Sequence, residues 1–97
     1  MCPMDLPQEF REILEYVKRT AVNGNPIDFE KAKWMLIRYL QYECPDDLRV
    51  WLIGYAIEFL ERLRVHKALS ELHQQGLRSL RRFRRIVECG KRRRKKS

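Results

Sequence analysis

Arg78, Arg81, Arg82 and Arg85 recur at intervals of three and four residues, with Arg84 beside them, and the same stretch carries Leu77, Leu80, Phe83 and Val87 at helical spacing. Residues three and four apart share a helix face. The spacing therefore predicts a helix over Leu77 to Cys89, with four guanidinium groups on one side and an apolar stripe on another. A guanidinium presents a planar fork of donors that bridges phosphate oxygens in a way an ammonium cannot. Like charges at this spacing repel by roughly 0.2–0.5 kcal/mol per pair, and a polyanion removes that repulsion. Gly90 is expected to stop the helix, and Lys91, Arg92, Arg93, Arg94, Lys95 and Lys96 then form a run too repulsive to fold alone, expected to be a disordered basic tail.

The chemistry this predicts is capture of a phosphate backbone. The eleven residues from Arg78 to Lys96 are candidate nucleic-acid contacts, and neutralising Z phosphates gives a salt slope near −0.9Z. The segment has one aromatic residue, Phe83, and its spacing puts it on the apolar face. Recognition of backbone or duplex shape is thus expected rather than base reading, with RNA favoured over DNA. The Lys91 to Lys96 run also fits a nuclear-import signal, which implies an import receptor as partner and a protein found in nucleus and cytoplasm. An anionic membrane would suit a helix with arginines on one side, but the apolar side here is narrow, so a membrane is not the expected partner.

Other reactive residue types form weaker constellations. His66 and His73 lie seven apart with Glu71 close by, yet no cysteine has a spacing that completes a zinc site, so they are read as surface histidines and no metal is expected. Cys2, Cys44 and Cys89 make an odd set with no C-x-x-C pair, which argues against a disulfide framework and for a reducing compartment. No Gly-rich phosphate loop, nucleophile elbow or paired carboxylate in an apolar setting occurs, so neither an enzyme nor a cofactor is expected. The opening residues are not those of a secretory leader, and the longest run without Asp, Glu, Lys or Arg, Val50 to Ile57, is too short to span a bilayer. An intracellular protein is the expectation.

The elements that must position the arginines read as helices throughout. Ninety-seven residues suffice for one core, and the net charge of +8 is unevenly spread: residues 1–76 carry ten bases and twelve acids, residues 77–97 eleven bases and one acid. Leu6, Phe10, Ile13, Leu14, Val17 and Ala21 line one face of a first helix, with Asp5 as its cap, Pro7 in its first turn and Gln8 completing a capping box. "NGNP" at Asn23 to Pro26 predicts a turn. Asp28 is expected to cap a second helix reaching about Tyr42, apolar on more than one side and so set between neighbours. After Pro45, Asp46 or Asp47 should cap a third, in which Leu48, Leu52, Tyr55, Phe59 and Leu63 recur and the pattern continues through Leu69 and Leu72 to a break at Gly76. Trp34, Tyr39, Trp51 and Tyr55 are read as core; exposure of both sides of the second helix would instead point to a homodimer, which would double the arginine face. The fold class is all-α, a small bundle of three to four helices with a disordered basic tail. It divides as a bundle core over 1–76, an arginine-rich amphipathic helix over 77–89 and a tail over 90–97.

One local likeness adds a second line. Leu6, Pro7, Gln8, Glu9, Phe10, Arg11 and Leu14 resemble the opening of an F-box, in which a Leu-Pro pair and following aliphatic residues contact the adaptor subunit of ubiquitin ligases; Phe10 stands where that family usually has Leu or Ile. The resemblance covers about a tenth of the chain. It implies a non-enzymatic protein-interaction adaptor whose basic tail serves nuclear import. The residues themselves point first to a small nucleic-acid-binding accessory protein, of the kind a viral genome encodes to sequester double-stranded RNA from host silencing.

Overall fold

The computed structural model describes residues 6–96, with side chains described through residue 89. Within them the chain is an all-α bundle of four helices, α1 (Gln8–Asn23), α2 (Pro26–Arg38), α3 (Arg49–Arg62) and α4 (Ser70–Lys96), with no strand among the described residues. α1 packs on α2 and α3 on α4, and α2 also touches α4, which joins the two hairpins around one core. The first face read from the sequence is the one buried: Phe10, Ile13, Leu14, Val17 and Ala21 all enter the core. Pro7 is the N-cap residue of α1, and Asp5, expected there, lies outside the described residues.

Two turns depend on local chemistry. Gly24 ends α1 at φ 77°, donating its N–H to the Thr20 carbonyl at 3.2 Å; a Cβ there would be strained and would come within 2.7 Å of the His66 ring. Asn25 then caps α2, its Oδ1 accepting from the N–H groups of Ile27 (2.9 Å) and Asp28 (3.3 Å), with Pro26 in the first turn. Asp28 is therefore not the cap but a first-turn acid, favourable against the helix dipole.

Beyond Arg38 the helix widens into a π-turn, Tyr39–Glu43, that Arg49 fastens. Its Nε donates to the Leu40 carbonyl at 2.8 Å, its Nη2 to the carbonyls of Gln41 (3.3 Å) and Cys44 (3.5 Å), and its Nη1 pairs with the Asp46 carboxylate. Carbonyls left over at a helix end are satisfied here by one side chain. Asp46 is thereby committed to Arg49, and neither Asp46 nor Asp47 caps α3, which follows a 3₁₀ turn at Asp46–Leu48.

The third helix is shorter than its pattern suggested. α3 ends at Arg62, Leu63 turns extended, and the break falls at residues 63–66. The His66 N–H donates to the Ala21 carbonyl (3.0 Å) and its Nδ1 accepts from Ala68 N (3.0 Å), so this connection is tied to the end of α1. Conversely, Gly76 does not interrupt a helix: α4 is continuous through it and through Gly90, on to Lys96. The glycine at 76 is buried under the Lys33 stem, whose Cδ would lie 3.1 Å from a Cβ. The backbone of α4 runs from Ser70 to Lys96. Arg and Lys are good helix formers, and one glycine costs only about 1 kcal/mol among them.

The aromatic residues divide. Tyr39 is buried against Phe10, whereas Trp34 (55% exposed), Trp51 (44%) and Tyr55 (39%) reach the surface, contrary to their reading as core. α2 accordingly leaves Trp34 and Met35 uncovered and is not enclosed by neighbours. Trp34 finds a partner on its own helix, its Nε1–H donating to Glu30 at 2.8 Å.

Candidate nucleic-acid interface

α4 is placed by its apolar stripe. Leu69, Leu77 and Leu80 are buried, with Phe83 and Val87 packed against the same cluster, so the apolar face lies in the bundle. This fixes where the arginines stand. At about 100° per residue, Arg78, Arg82 and Arg85 fall within roughly 60° of one another on the side away from the core, while Arg81 and Arg84 turn toward α3.

The five candidate arginines are all exposed, yet they do not act as one patch. Arg81 pairs through Nη2 with Glu61 of α3, a contact between two half-exposed side chains that neutralises it. Arg84 extends over Gly54 of α3, its Nη1 3.9 Å from where a Cβ would sit. Among the described residues, no carboxylate lies within 4 Å of Arg78, Arg82, Arg84 or Arg85. The predicted quartet of Arg78, Arg81, Arg82 and Arg85 is thus a trio, with Arg81 withdrawn by an acid twenty residues away in sequence that no local pattern could pair with it. Lys91, Arg92, Arg93, Arg94, Lys95 and Lys96 continue the helix, but their side chains, and with them the import signal, lie outside the described residues.

No family model matches the chain, and no curated protein or solved structure does.

Sequence reasoning missed a groove between α3 and α4. It has a volume of about 590 Å³ and combines Trp51, Tyr55, Glu58, Arg84 and Glu88 with the Arg81–Glu61 pair. A second groove of about 470 Å³ runs between α1 and α3, where Val22, Tyr55, Phe59 and Leu63 form an apolar floor beside Lys18, Glu58, Arg62 and Arg64. Neither was visible from periodicity, because each joins residues from two helices; the only sequence signal was the width of the apolar sector on α3.

The remaining titratable groups are structural. His73 donates from Nε2 to the Leu60 carbonyl at 2.6 Å, binding the end of α3 to α4, and His66 caps a turn, so the two histidines do not share a helix face. No cluster of three or more metal-ligating side chains occurs among the described residues. Burial pushes the Cys44 thiol up from its usual pKa, with nearby Arg49 opposing the shift, and its Sγ lies 3.4 Å from the Leu40 carbonyl. A thiol held neutral in this way is a poor nucleophile. None of the helices, over the described residues, is long and apolar enough to cross a membrane.

Proposed function

We propose that the protein binds nucleic acid, structured or double-stranded RNA in preference to DNA, by laying the outer face of α4 along a phosphate backbone. The observation that carries this reading is the trio Arg78, Arg82 and Arg85: exposed, on one side of an ordered helix, with no carboxylate within reach among the described residues. Six further bases follow in the chain. Contacts of this type position a protein on a duplex without reading its sequence. RNA is favoured because its duplexes are recognised largely through shape, phosphates and 2′-hydroxyls. Sequestering double-stranded RNA from host silencing is the use such binding would serve in a viral accessory protein.

The test is a titration of duplex RNA across ionic strength with the wild type and with Arg78→Glu/Arg82→Glu/Arg85→Glu. Each lost phosphate contact should lower the magnitude of the salt slope by about 0.9. Unchanged affinity and slope in the triple variant would refute the reading.

The groove between α1 and α3 favours a second reading, a non-enzymatic protein-interaction adaptor whose basic tail directs nuclear import. An apolar floor whose rim carries three bases, Lys18, Arg62 and Arg64, against one acid, Glu58, is suited to an acidic amphipathic helix. Deleting residues 91–97 and following a tagged protein tests import separately, and an unchanged nuclear signal would remove it.

A further inference from the structure

We infer that the groove between α3 and α4 holds an unpaired nucleobase, guanine above all, so that the preferred ligand is an RNA duplex with an unpaired guanosine at its end rather than a blunt one. This rests on the RNA-binding reading and adds the form of the ligand to it. The sequence around the arginines offered no stacking platform; the fold supplies one from another helix. Phe10 stacks on Tyr39 with ring centroids 5.8 Å apart, Tyr55 meets Phe10 edge-on at 6.0 Å, and Trp51 leans on Tyr55 at 5.8 Å. The rings form a chain from the core to the surface, and the outer two keep 44% and 39% of their surface exposed. Anchored from below and open above, Trp51 and Tyr55 make a fixed shelf of the type on which bases stack.

The charges decide which part of a nucleotide enters. Glu61 is occupied by Arg81, which leaves Glu58 and Glu88 as the carboxylates of the groove without an ion-pair partner among the described residues. They repel a phosphate. A base edge carrying N–H groups is a different matter, because an ionised carboxylate is purely an acceptor. Guanine presents N1–H and its amino group side by side, which one carboxylate can accept with both oxygens; uracil has a single N–H on that edge. Glu58, one helical turn beyond Tyr55, is the residue assigned this role. The phosphate of the same nucleotide then falls toward Arg84, which crosses Gly54 at the groove floor, and Arg85, exposed at the next position. The groove is therefore continuous with the basic face and complementary to it, one taking base and the other backbone.

The experiment uses the full chain with Trp34→Phe, so that Trp51 is its one indole. Three probes share one duplex: blunt, with a 3′ overhang of two guanosines, and with a 3′ overhang of two uridines. The guanosine overhang should bind about tenfold tighter than the blunt duplex, within the range that base–aromatic stacking supplies, and should quench Trp51 fluorescence. Trp51→Ala should abolish the gain and leave blunt affinity unchanged, and Trp51→Phe should keep part of it. Glu58→Ala should erase the difference between guanosine and uridine. Arg78→Glu/Arg82→Glu should weaken all three probes alike. Equal binding of blunt and overhanging duplexes, or a gain that survives Trp51→Ala, overturns the inference while leaving the RNA-binding reading in place. Failure of every probe to bind at low salt overturns both.

Discussion

Gly76 offers the sharpest check on the helix that carries the arginines. In a helix interior, glycine to alanine is favourable by about 1 kcal/mol. At Gly76 the new methyl would meet the Lys33 stem, with Cδ at 3.1 Å and Cγ at 3.4 Å, tighter than ordinary van der Waals contact. Lys33 is not free to swing away: it is buried and its Nζ is held 2.9 Å from Glu30. Crowding of this kind offsets the gain, because packed side chains that must shift typically cost about 1 kcal/mol or more. Gly76→Ala alone should therefore leave stability within about 0.5 kcal/mol of wild type, the propensity gain being cancelled. In a Lys33→Ala background the obstacle is gone, and the same substitution should stabilise by about 1 kcal/mol, or about 4–8 °C in melting temperature for a chain this size. The double-mutant cycle, read by thermal unfolding, thus has an expected coupling of about 1 kcal/mol. An equal effect of Gly76→Ala in both backgrounds would refute the packing argument. Strong destabilisation in both would refute the continuous helix, since it would mean a backbone at residue 76 that alanine cannot adopt.

Three other outcomes follow from single contacts. Arg49→Met should destabilise the fold by about 2 kcal/mol in urea unfolding, since charged hydrogen bonds to otherwise orphaned carbonyls are lost, and Arg49→Lys should not restore it because an ammonium cannot span the same acceptors. Alkylation under native conditions should modify exposed Cys89 quickly and buried Cys44 only on the timescale of unfolding. Glu30 is held below its usual pKa of 4.5, first by its bond to Lys33 and then by the Trp34 indole, so its contribution to stability is present above that value and is lost as pH falls through the lower folded-state one; Glu30→Gln should make the acid limb of the stability profile shallower.

The parts of the fold legible in the sequence are those where one face decides. α1 alternates a buried stripe with a charged back, and α4 does so even more plainly around Leu77 and Leu80. Helix boundaries failed where the deciding contact came from elsewhere in the chain. The leucines resume at Leu69 and Leu72 and so invite one continuous helix, yet α3 ends before residues 63–66, where His66 bonds Ala21, forty-odd residues earlier. At Gly76 the opposite error arose: burying Leu77 and Leu80 contributes about 1.5–3 kcal/mol each, more than the roughly 1 kcal/mol a glycine costs, so the helix runs through. Asn25 was read only as part of a turn, although a proline directly after it is itself a helix-start signal. At the candidate site the arginine positions were legible and their grouping was not, since Glu61 and the Trp51–Tyr55 shelf come from α3.

The angular division of α4 bears on how it would meet a polyanion. A helix crowded with arginines is weakened by self-repulsion, by a few tenths of a kcal/mol for each close pair. In an isolated peptide that would leave ordering to the ligand, and binding would be coupled to folding at a cost in affinity. Here two effects act before any ligand arrives: Leu77 and Leu80 are buried, and Arg81 is neutralised by Glu61. The arginine trio is then preorganised, and its repulsion is a strain that phosphates relieve without refolding. Far-ultraviolet circular dichroism should accordingly gain little helix when duplex RNA is added, and the heat-capacity change of binding should be small. A large gain in helicity would mean that the face forms only on contact, and the argument from a standing row of unpaired guanidinium groups would fail with it.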